Sequence, residues 1–432
     1  MDAKSSLYVP YIFRSFQGFS VKDIKEFHQT CHMQIILEKE EDKTPLCSAC
    51  GHKLGHYHDR YAMEVKHLKV FGWSASLVFF REKRHCDVCN KVRSELIEWL
   101  CPKSPHITME LSWWINRLSE VTSVLAVSKL ERVDKMACYR VDHYILKRLL
   151  QGYHIPQVTH IAVDEVYARS PKQQEKGETR DDLFLTVILD IKTHKVIWVA
   201  DSRRREALDD FFKIIGSEAC SKIKVVATDQ HEGYSASVAE YCTNAVVVLD
   251  RFHLVQNFNE ALNEDRKDEL EQIDPEGKMG DMMNGKYKCK FLTKAANRSE
   301  KDNRHIEYVT KLNKKMAQLE IIKERFHQIF DAPSVLDAQV ILAEIFQWSM
   351  DIHARGIFNW IRNIMKDLRF WNYFENRYSS GVIEGTNRAI KGLKWQAYGY
   401  KDMEYFKLKI MQKVGYLNSR FALKWMYDLK SA

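Results

Sequence analysis

This chain is expected to form a multidomain α/β protein, and three features predict it. Two apolar runs each end in an aspartate, a helical stretch far downstream opens on a glutamate, and two C-x-x-C pairs precede them all. The first run, HIAVDEV at 160–166, carries Asp164, and the second, IKVVATD at 223–229, closes on Asp229. Between them lie β-rich runs at 183–191 and 195–200, joined around Lys192 and His194 like a hairpin, and then a helical stretch over 204–216. Glu384 opens the helical pattern EGTNRAIK at 384–391. Strand with acid, strand, strand, helix, strand with acid, then a later helix with the third acid is the element order of a ribonuclease-H-like core.

The chemistry of carboxylates gives a reason for such acids to meet. A single acid at a strand end is commonly a turn or cap residue. Three brought together are another matter, because two carboxylates about 4 Å apart repel by roughly 4 kcal/mol at an effective dielectric near 20. Cations remove that cost. Two divalent ions can also clamp the attacking and leaving oxygens of a phosphoryl displacement. Oxygen ligands favour Mg²⁺ or Mn²⁺, so Asp164, Asp229 and Glu384 are the candidate catalytic metal ligands.

Four of the ten cysteines fall in matched pairs, CSAC at 47–50 and CDVC at 86–89. Each C-x-x-C turn aims two thiolates at one point, and Cys47, Cys50, Cys86 and Cys89 together would complete a tetrahedral Zn²⁺ site. β-Rich runs at 62–70 and 74–84, broken at Phe71 and Gly72, lie between the pairs, which is a ribbon layout although 35 residues intervene. Four thiolates leave no open position for water, so the site would be structural. His52, His56, His58 and His85 crowd the same segment and could replace one ligand; they are read instead as surface or phosphate-contacting groups.

From 109 to 150 the pattern turns helical. Leu111, Trp114, Ile115, Leu118 and Val121 trace one apolar face, and residues 124–130 continue as a second short helix. Asp134 is placed to N-cap a third helix carrying Lys135, Arg140, Lys147 and Arg148. A helix-turn-helix would set that helix in the major groove, with Arg140, Lys147 and Arg148 toward DNA; a plain three-helix linker fits the same segment. Beyond Asp229, a β run at 245–249 ends in DRFH, and Asp250 and His253 could stand behind the metal ligands. About 120 residues, 254–375, then read as helix, with turn signals near Pro275 and Pro333.

On a helix, Asn387 and Lys391 share the face of Glu384 at i+3 and i+7. They and Lys394 are candidate phosphate contacts. From Ser380 onward ten Lys or Arg stand against four acids, interleaved with Trp395, Tyr398, Tyr400, Tyr405, Tyr416, Phe421 and Trp425. Bases mixed with aromatics suit a nucleic-acid backbone and unstacked bases, while an amphipathic helix with a solvated basic face is the plainer reading. The full chain of 432 residues carries a net charge of +8, and its 29% charged and 45% hydrophobic residues indicate a globular protein rather than a disordered one. No apolar run reaches the 18 or more residues of a membrane span, and the first ten residues lack a signal-peptide layout. A cytoplasmic protein with reduced cysteines, and no membrane partner, is expected.

The sequence resembles the bacterial insertion-sequence transposases of the "ISL-three" family. The stretches that carry the resemblance are HIAVDEV (160–166), VATDQHEGY (226–234), VLDRFH (248–253), SGVIEGTNRAIK (380–391) and AYGY (397–400). It implies that Asp164, Asp229 and Glu384 are the acids of a DDE transposase, and that Asp250 to His253 match an acid-x-x-His signature that follows the second acid. It further implies that the zinc ribbon and helix-turn-helix recognise terminal inverted repeats, and that the partners are double-stranded DNA at the element ends and target. A homo-oligomer assembled on nucleoid DNA is expected. An acidic pair, Asp181 and Asp182, has no assignment. The organisation so read is an N-terminal segment (1–35), zinc ribbon (36–105), helix-turn-helix (106–152), first part of the catalytic core (153–253), helical insertion (254–375), and last core helices with a basic tail (376–432). A DNA-binding regulator that no longer cuts, or a nuclease without strand transfer, are the alternatives.

Overall fold

Alternating polarity over residues 57–86 builds a long hairpin. β3 (Tyr57–Val70) and β4 (Trp73–Cys86) pair antiparallel from Tyr57↔Arg84 to Val70↔Trp73. Phe71 and Gly72 turn the chain at φ 49° and 86°, the left-handed pair that matches the twist of the flanking strands. This computed structural model describes residues 16–174, 176–229, 232–273, 286–378 and 381–418. The chain divides into two units, Met1–His154 with Gly392–Ala432, and Ile155–Lys391.

In the first unit the hairpin is the middle of a seven-stranded sheet. β1 (Phe19–Phe27), β2 (His32–Lys39), β5 (Lys91–Ser94), β6 (Leu100–Cys101) and β7 (Ser104–Thr108) complete it in the order β1-β2-β4-β3-β7-β6, with β5 paired to β4. Ile35 and Leu37 of β2 pack with Met63, Val65, Leu77, Phe79 and Trp99 in one core. The domain edge expected at residue 35 therefore falls inside β2. The apolar alternation of this strand is satisfied only by the sheet that it joins.

Three helices follow, α1 (Met109–Leu118), α2 (Val124–Glu131) and α3 (Lys135–Gln151). Thr108, Ser123 and Asp134 cap them, each side chain accepting a backbone N–H from the first turn; such a cap contributes about 1 kcal/mol. Leu111, Ile115, Val127, Val133, Cys138 and Val141 form their shared core. Arg132, at φ 51°, makes the turn that the sequence supplies without a glycine.

The stretch read as a basic tail has a different role in part. α14 (Met403–Val414) packs in the same unit, and its Tyr405 and Lys409 are buried. Asp142 of α3 accepts from Asn116 Nδ2 at 2.7 Å, from Lys409 Nζ at 3.1 Å, and from the Tyr405 hydroxyl. Lys409 also donates to the Ser119 carbonyl at 2.7 Å. With Asp142 fully buried, removing its cation strands a charge. Lys409→Met should cost roughly 3–5 kcal/mol, read as a lowered midpoint in urea unfolding. The double variant with Asp142→Asn should recover most of it. Equal loss in both variants would mean that Lys409 acts through packing alone.

In the second unit the sheet order is β10-β9-β8-β11-β12, from β8 (His160–Tyr167), β9 (Phe184–Asp190), β10 (Lys195–Asp201), β11 (Val225–Thr228) and β12 (Val246–Leu249). β10, β9 and β8 are antiparallel neighbours, and β8, β11 and β12 run parallel. β11 is buried throughout, as apolar strands covered on both faces are. α4 (Arg205–Ser221) and α5 (Glu232–Tyr241) make the crossovers to β11 and β12. α4 runs beyond the expected 204–216, with a break at Gly216, φ 80°.

The insertion is helical where it is described. α6 (Arg251–Ile273), α7 (Lys286–Leu292), α8 (Glu300–Leu312), α9 (Lys314–Gln328), α10 (Val335–Asp351), α11 (Arg355–Ile364) and α12 (Leu368–Asn376) share one core that includes Leu249 of β12. The expected boundary after residue 253 lies within α6, and the turn signal at Pro275 lies outside the described residues. Asp265 of α6 caps α11, accepting from the N–H groups of Gly356 and Ile357 at 2.8 Å each. A Cβ at Gly356 would stand 2.6 Å from the Ala261 carbonyl oxygen, so only glycine fits this crossing. α13 (Gly381–Gln396) then carries Glu384. Among the described residues no helix is long and apolar enough to cross a membrane.

Candidate active site and metal centre

Strand register places the acids. β11 pairs with β8 through Val225↔His160, Val226↔Ile161 and Ala227↔Ala162. Asp229, two residues past Ala227, therefore comes level with Asp164, two past Ala162, on strands spaced about 4.8 Å apart. β12 pairs with β11 up to Thr228↔Leu249, so Asp250 comes level with Asp229. Asp164 lies on β8, and Asp229 and Asp250 each stand one residue past the end of the neighbouring strands β11 and β12. Asp250 also starts α6, its carboxylate accepting the Phe252 N–H at 3.1 Å.

Two further predicted residues converge on Asp164. His253, on the first turn of α6, places Nε2 3.8 Å from Asp164 Oδ1 and 4.0 Å from Asp250 Oδ2. The Asp164 carboxylate beside it, with Asp250 and Asp229 nearby, raises the imidazole above its usual pKa although burial opposes this. Asn387 of α13 donates to Asp164 Oδ2 at 2.6 Å. Its other amide atom, Oδ1, is buried without a hydrogen-bond partner among the described residues. An acceptor left open beside these carboxylates suits a cation or the water that a cation holds. Oxygen-only donors of this kind fit a hard divalent ion.

Glu384 lies one turn before Asn387 on the same helix, and its carboxylate pairs with Arg388. Asp164, Asp229 and Glu384 are thus not drawn into one tight cluster. Among the described residues, the four cysteines are the single group of three or more potential ligands whose donor atoms all lie within 4.8 Å of one another. The Glu384–Arg388 pair is exposed, and an i,i+4 pair of this kind holds by only about 0.3–0.5 kcal/mol.

Cys47, Cys50, Cys86 and Cys89 make a centre able to hold a zinc ion. Cys47 Sγ stands 3.9 Å from Cys89 Sγ, and Cys50 Sγ 3.5 Å from Cys86 Sγ. Tetrahedral zinc with 2.3 Å bonds separates its sulfurs by about 3.8 Å. The Ala49 and Cys89 N–H groups reach Cys47 and Cys86 Sγ at 3.4 Å each. After each pair the chain turns through a positive φ, Gly51 at 74° and Asn90 at 50°. Although the His52 amide opposes it, burial and the neighbouring sulfurs push the Cys50 thiol up to about 12. His52, His56, His58 and His85 stay outside this set of four sulfurs.

The predicted DNA-facing bases differ among themselves. Arg140 is exposed on α3 and lines a cleft of about 860 Å³ with Lys66, Lys69, His106 and Arg132 as well as Glu64, Glu131 and Asp134. Lys147 pairs with Glu404 at 3.1 Å, and Arg148 lies over the Tyr144 ring. Lys391 is exposed, while burial lowers the Lys394 ammonium below its usual pKa.

Residues 161–410 match the sequence profile of a family described as "Transposase", that of the ISL-three (ISL3) insertion sequences. The chain belongs to this transposase family. It is similar to the transposase for insertion sequence element IS1001 of Bordetella parapertussis, 21% identical over 403 residues that cover 91% of this chain and 95% of that one. It is also similar to the transposase for insertion sequence element IS1557 of Mycobacterium tuberculosis, 21% identical over 243 residues that cover 51% and 54%.

Sequence reasoning about this transposase passed over Glu165. Burial, together with the charges of Asp229 and Asp164, pushes its carboxyl up to about 7, against the pull of Arg203. Arg203 NH1 stands 3.7 Å from Glu165 Oε2, and Tyr234 shares its hydroxyl with Thr186 Oγ1 at 2.9 Å beside it. The signal was an acid in the middle of HIAVDEV, where an apolar strand offers it no solvent. Asp181 and Asp182 also find an explanation. Asp181 accepts from Arg203 Nε at 2.7 Å and Asp182 pairs with Arg204, so the two brace the segment after β10.

Proposed function

We propose that this transposase binds the terminal inverted repeats of an insertion sequence and carries out phosphodiester hydrolysis and strand transfer with Asp164, Asp229 and Glu384 as its DDE acids. The observation that carries the proposal is Asp164 on β8 and Asp229 just past the end of the neighbouring β11, with Asn387 of the Glu384 helix bonded to Asp164. The sheet order, three antiparallel strands followed by two parallel ones, supports a ribonuclease-H-like core. Asp164, Asp229 and Glu384 would hold Mg²⁺ or Mn²⁺. When bound, such ions supply charge neutralisation at the attacking and leaving oxygens. His253 and Asp250 orient Asp164 from behind, and Asn387 fixes its second oxygen. Glu384 exchanges Arg388 for the site, which frees that guanidinium for a phosphate. Cys47, Cys50, Cys86 and Cys89 would hold a structural Zn²⁺, and α3 would enter the major groove of an element end.

The test is incubation of the purified chain with Mn²⁺ and DNA bearing the ends of its own element. Strand cleavage at those ends, followed by joining to a target, is expected. Binding without any cleavage would favour a silent regulator, and cleavage without joining a nuclease.

DNA contacts are tested by salt titration. Lys391→Ala should lower the slope of log affinity against log salt by about 0.9 and weaken all sequences alike. Arg140→Ala should narrow the gap between end and random DNA by roughly 1–3 kcal/mol. If Arg140→Ala weakens both DNAs equally, α3 does not read bases.

A further inference from the structure

The helix that carries Glu384 presents a second feature. Residues 384, 388, 391 and 395 recur at i, i+4, i+7 and i+11, which keeps them on one face of α13. They are Glu384, Arg388, Lys391 and Trp395. The opposite face, Ile383, Thr386, Ile390 and Leu393, is buried. Beside the exposed stripe, a Cβ added at Gly385 or Gly392 would meet nothing within 4 Å. Trp395 is 84% exposed and Tyr398, just past the helix end, 95% exposed.

Tyr398 also stands where a side chain is disfavoured. The helix ends in a Schellman turn, with Gly399 N–H donating to the Lys394 carbonyl at 2.9 Å and Tyr398 N–H to the Trp395 carbonyl at 3.0 Å. Tyr398 takes the left-handed position of that turn at φ 56°, which glycine fills most cheaply. Neither aromatic ring repays its exposure by packing, and Arg388, Lys391, Lys394 and Lys401 surround the pair in sequence.

We propose that Trp395 and Tyr398 form a stacking platform for unpaired DNA bases, with the neighbouring cations tracking the strand. This rests on the reading of the chain as a transposase that opens DNA at its ends. Bare aromatic faces among cations suit single-stranded nucleic acid, because every base offers a π-face to stack.

The test compares DNA ends that carry an unpaired 2-aminopurine flap with fully paired ends, using full-length protein. Wild type should quench the flap fluorescence on binding. Trp395→Ala and Tyr398→Ala should each weaken flap binding by roughly 5- to 150-fold, with Trp395→Phe recovering most of the loss and paired ends changing less than twofold. Equal losses on both DNAs, or an unchanged flap affinity, would overturn the platform. So would conversion of an oligomer to a monomer by Trp395→Ala in sedimentation, with flap affinity intact, since a second copy would then be the occupant. Failure of the wider reading shows differently: wild type would then cut no ends with Mn²⁺.

Discussion

Asp164→Asn, Asp229→Asn and Glu384→Gln should each lower end cleavage by about 10³-fold or more while leaving affinity for end DNA within twofold. On the proposed reading of the three acids as metal ligands, each change removes one charged ligand oxygen and leaves the side-chain shape. The stabilisation lost at the transferring phosphoryl group is several kcal/mol, and each 1.36 kcal/mol is tenfold in rate. DNA affinity, by contrast, is proposed to lie with α3, the exposed bases and aromatics of α13 and the cysteine centre. Cleavage is measured on labelled end DNA in Mn²⁺, and binding separately in Ca²⁺, which should permit association with little or no cutting. Glu384 is the most exposed to refutation of the three, because its carboxylate pairs with Arg388. If Glu384→Gln cuts at near the wild-type rate, the third ligand must be sought elsewhere, and Asp250, level with Asp229, would be next.

How far the site was legible can be argued from these same residues. Asp164 and Asp229 stand out because two apolar runs end in acid in the order that a third, helical acid completes, and the β8–β11 register runs toward both. Asn387 was singled out by helical spacing, but as a phosphate contact, whereas its amide donates to Asp164. Glu165 was signalled only by its place in an apolar run, since period-two alternation gives an acid next to Asp164 no role until Tyr234 and Arg203 arrive from distant segments. The Asp142–Lys409 pair was hidden for the same reason. Its partners are 267 positions apart, and a lysine in a basic stretch reads as solvated until the helix that carries it is seen to be buried. The joining of β1 and β2 to the ribbon strands was likewise non-local: β2 pairs directly and in parallel with β4, although β3 lies between them in sequence, and no turn signal announces a parallel pairing.

Removing metal from the cysteine centre should have the other large effect. The cluster around it consists of Cys47, Leu54 and Cys86, with Cys50 and Cys89 packed against them, so among the described residues Leu54 is the one apolar side chain of that cluster besides the cysteines. So small a core cannot offset the entropy of ordering two knuckles. Zinc held by four thiolates contributes apparent free energies of about 10–16 kcal/mol in small domains at pH 7, more than any packing available here. Purified protein should therefore contain one zinc per chain. Cys47→Ser or Cys86→Ser should lose it, and chelation should raise amide hydrogen exchange over residues 44–56 and 85–95 selectively. The hairpin core of Leu77, Phe79 and Trp99 has its own apolar contacts and should stay protected. Specific end binding should fall with the knuckles. A zinc-free preparation with those amides still protected would show that the four thiols pack as a plain buried cluster, and the centre would lose its metal.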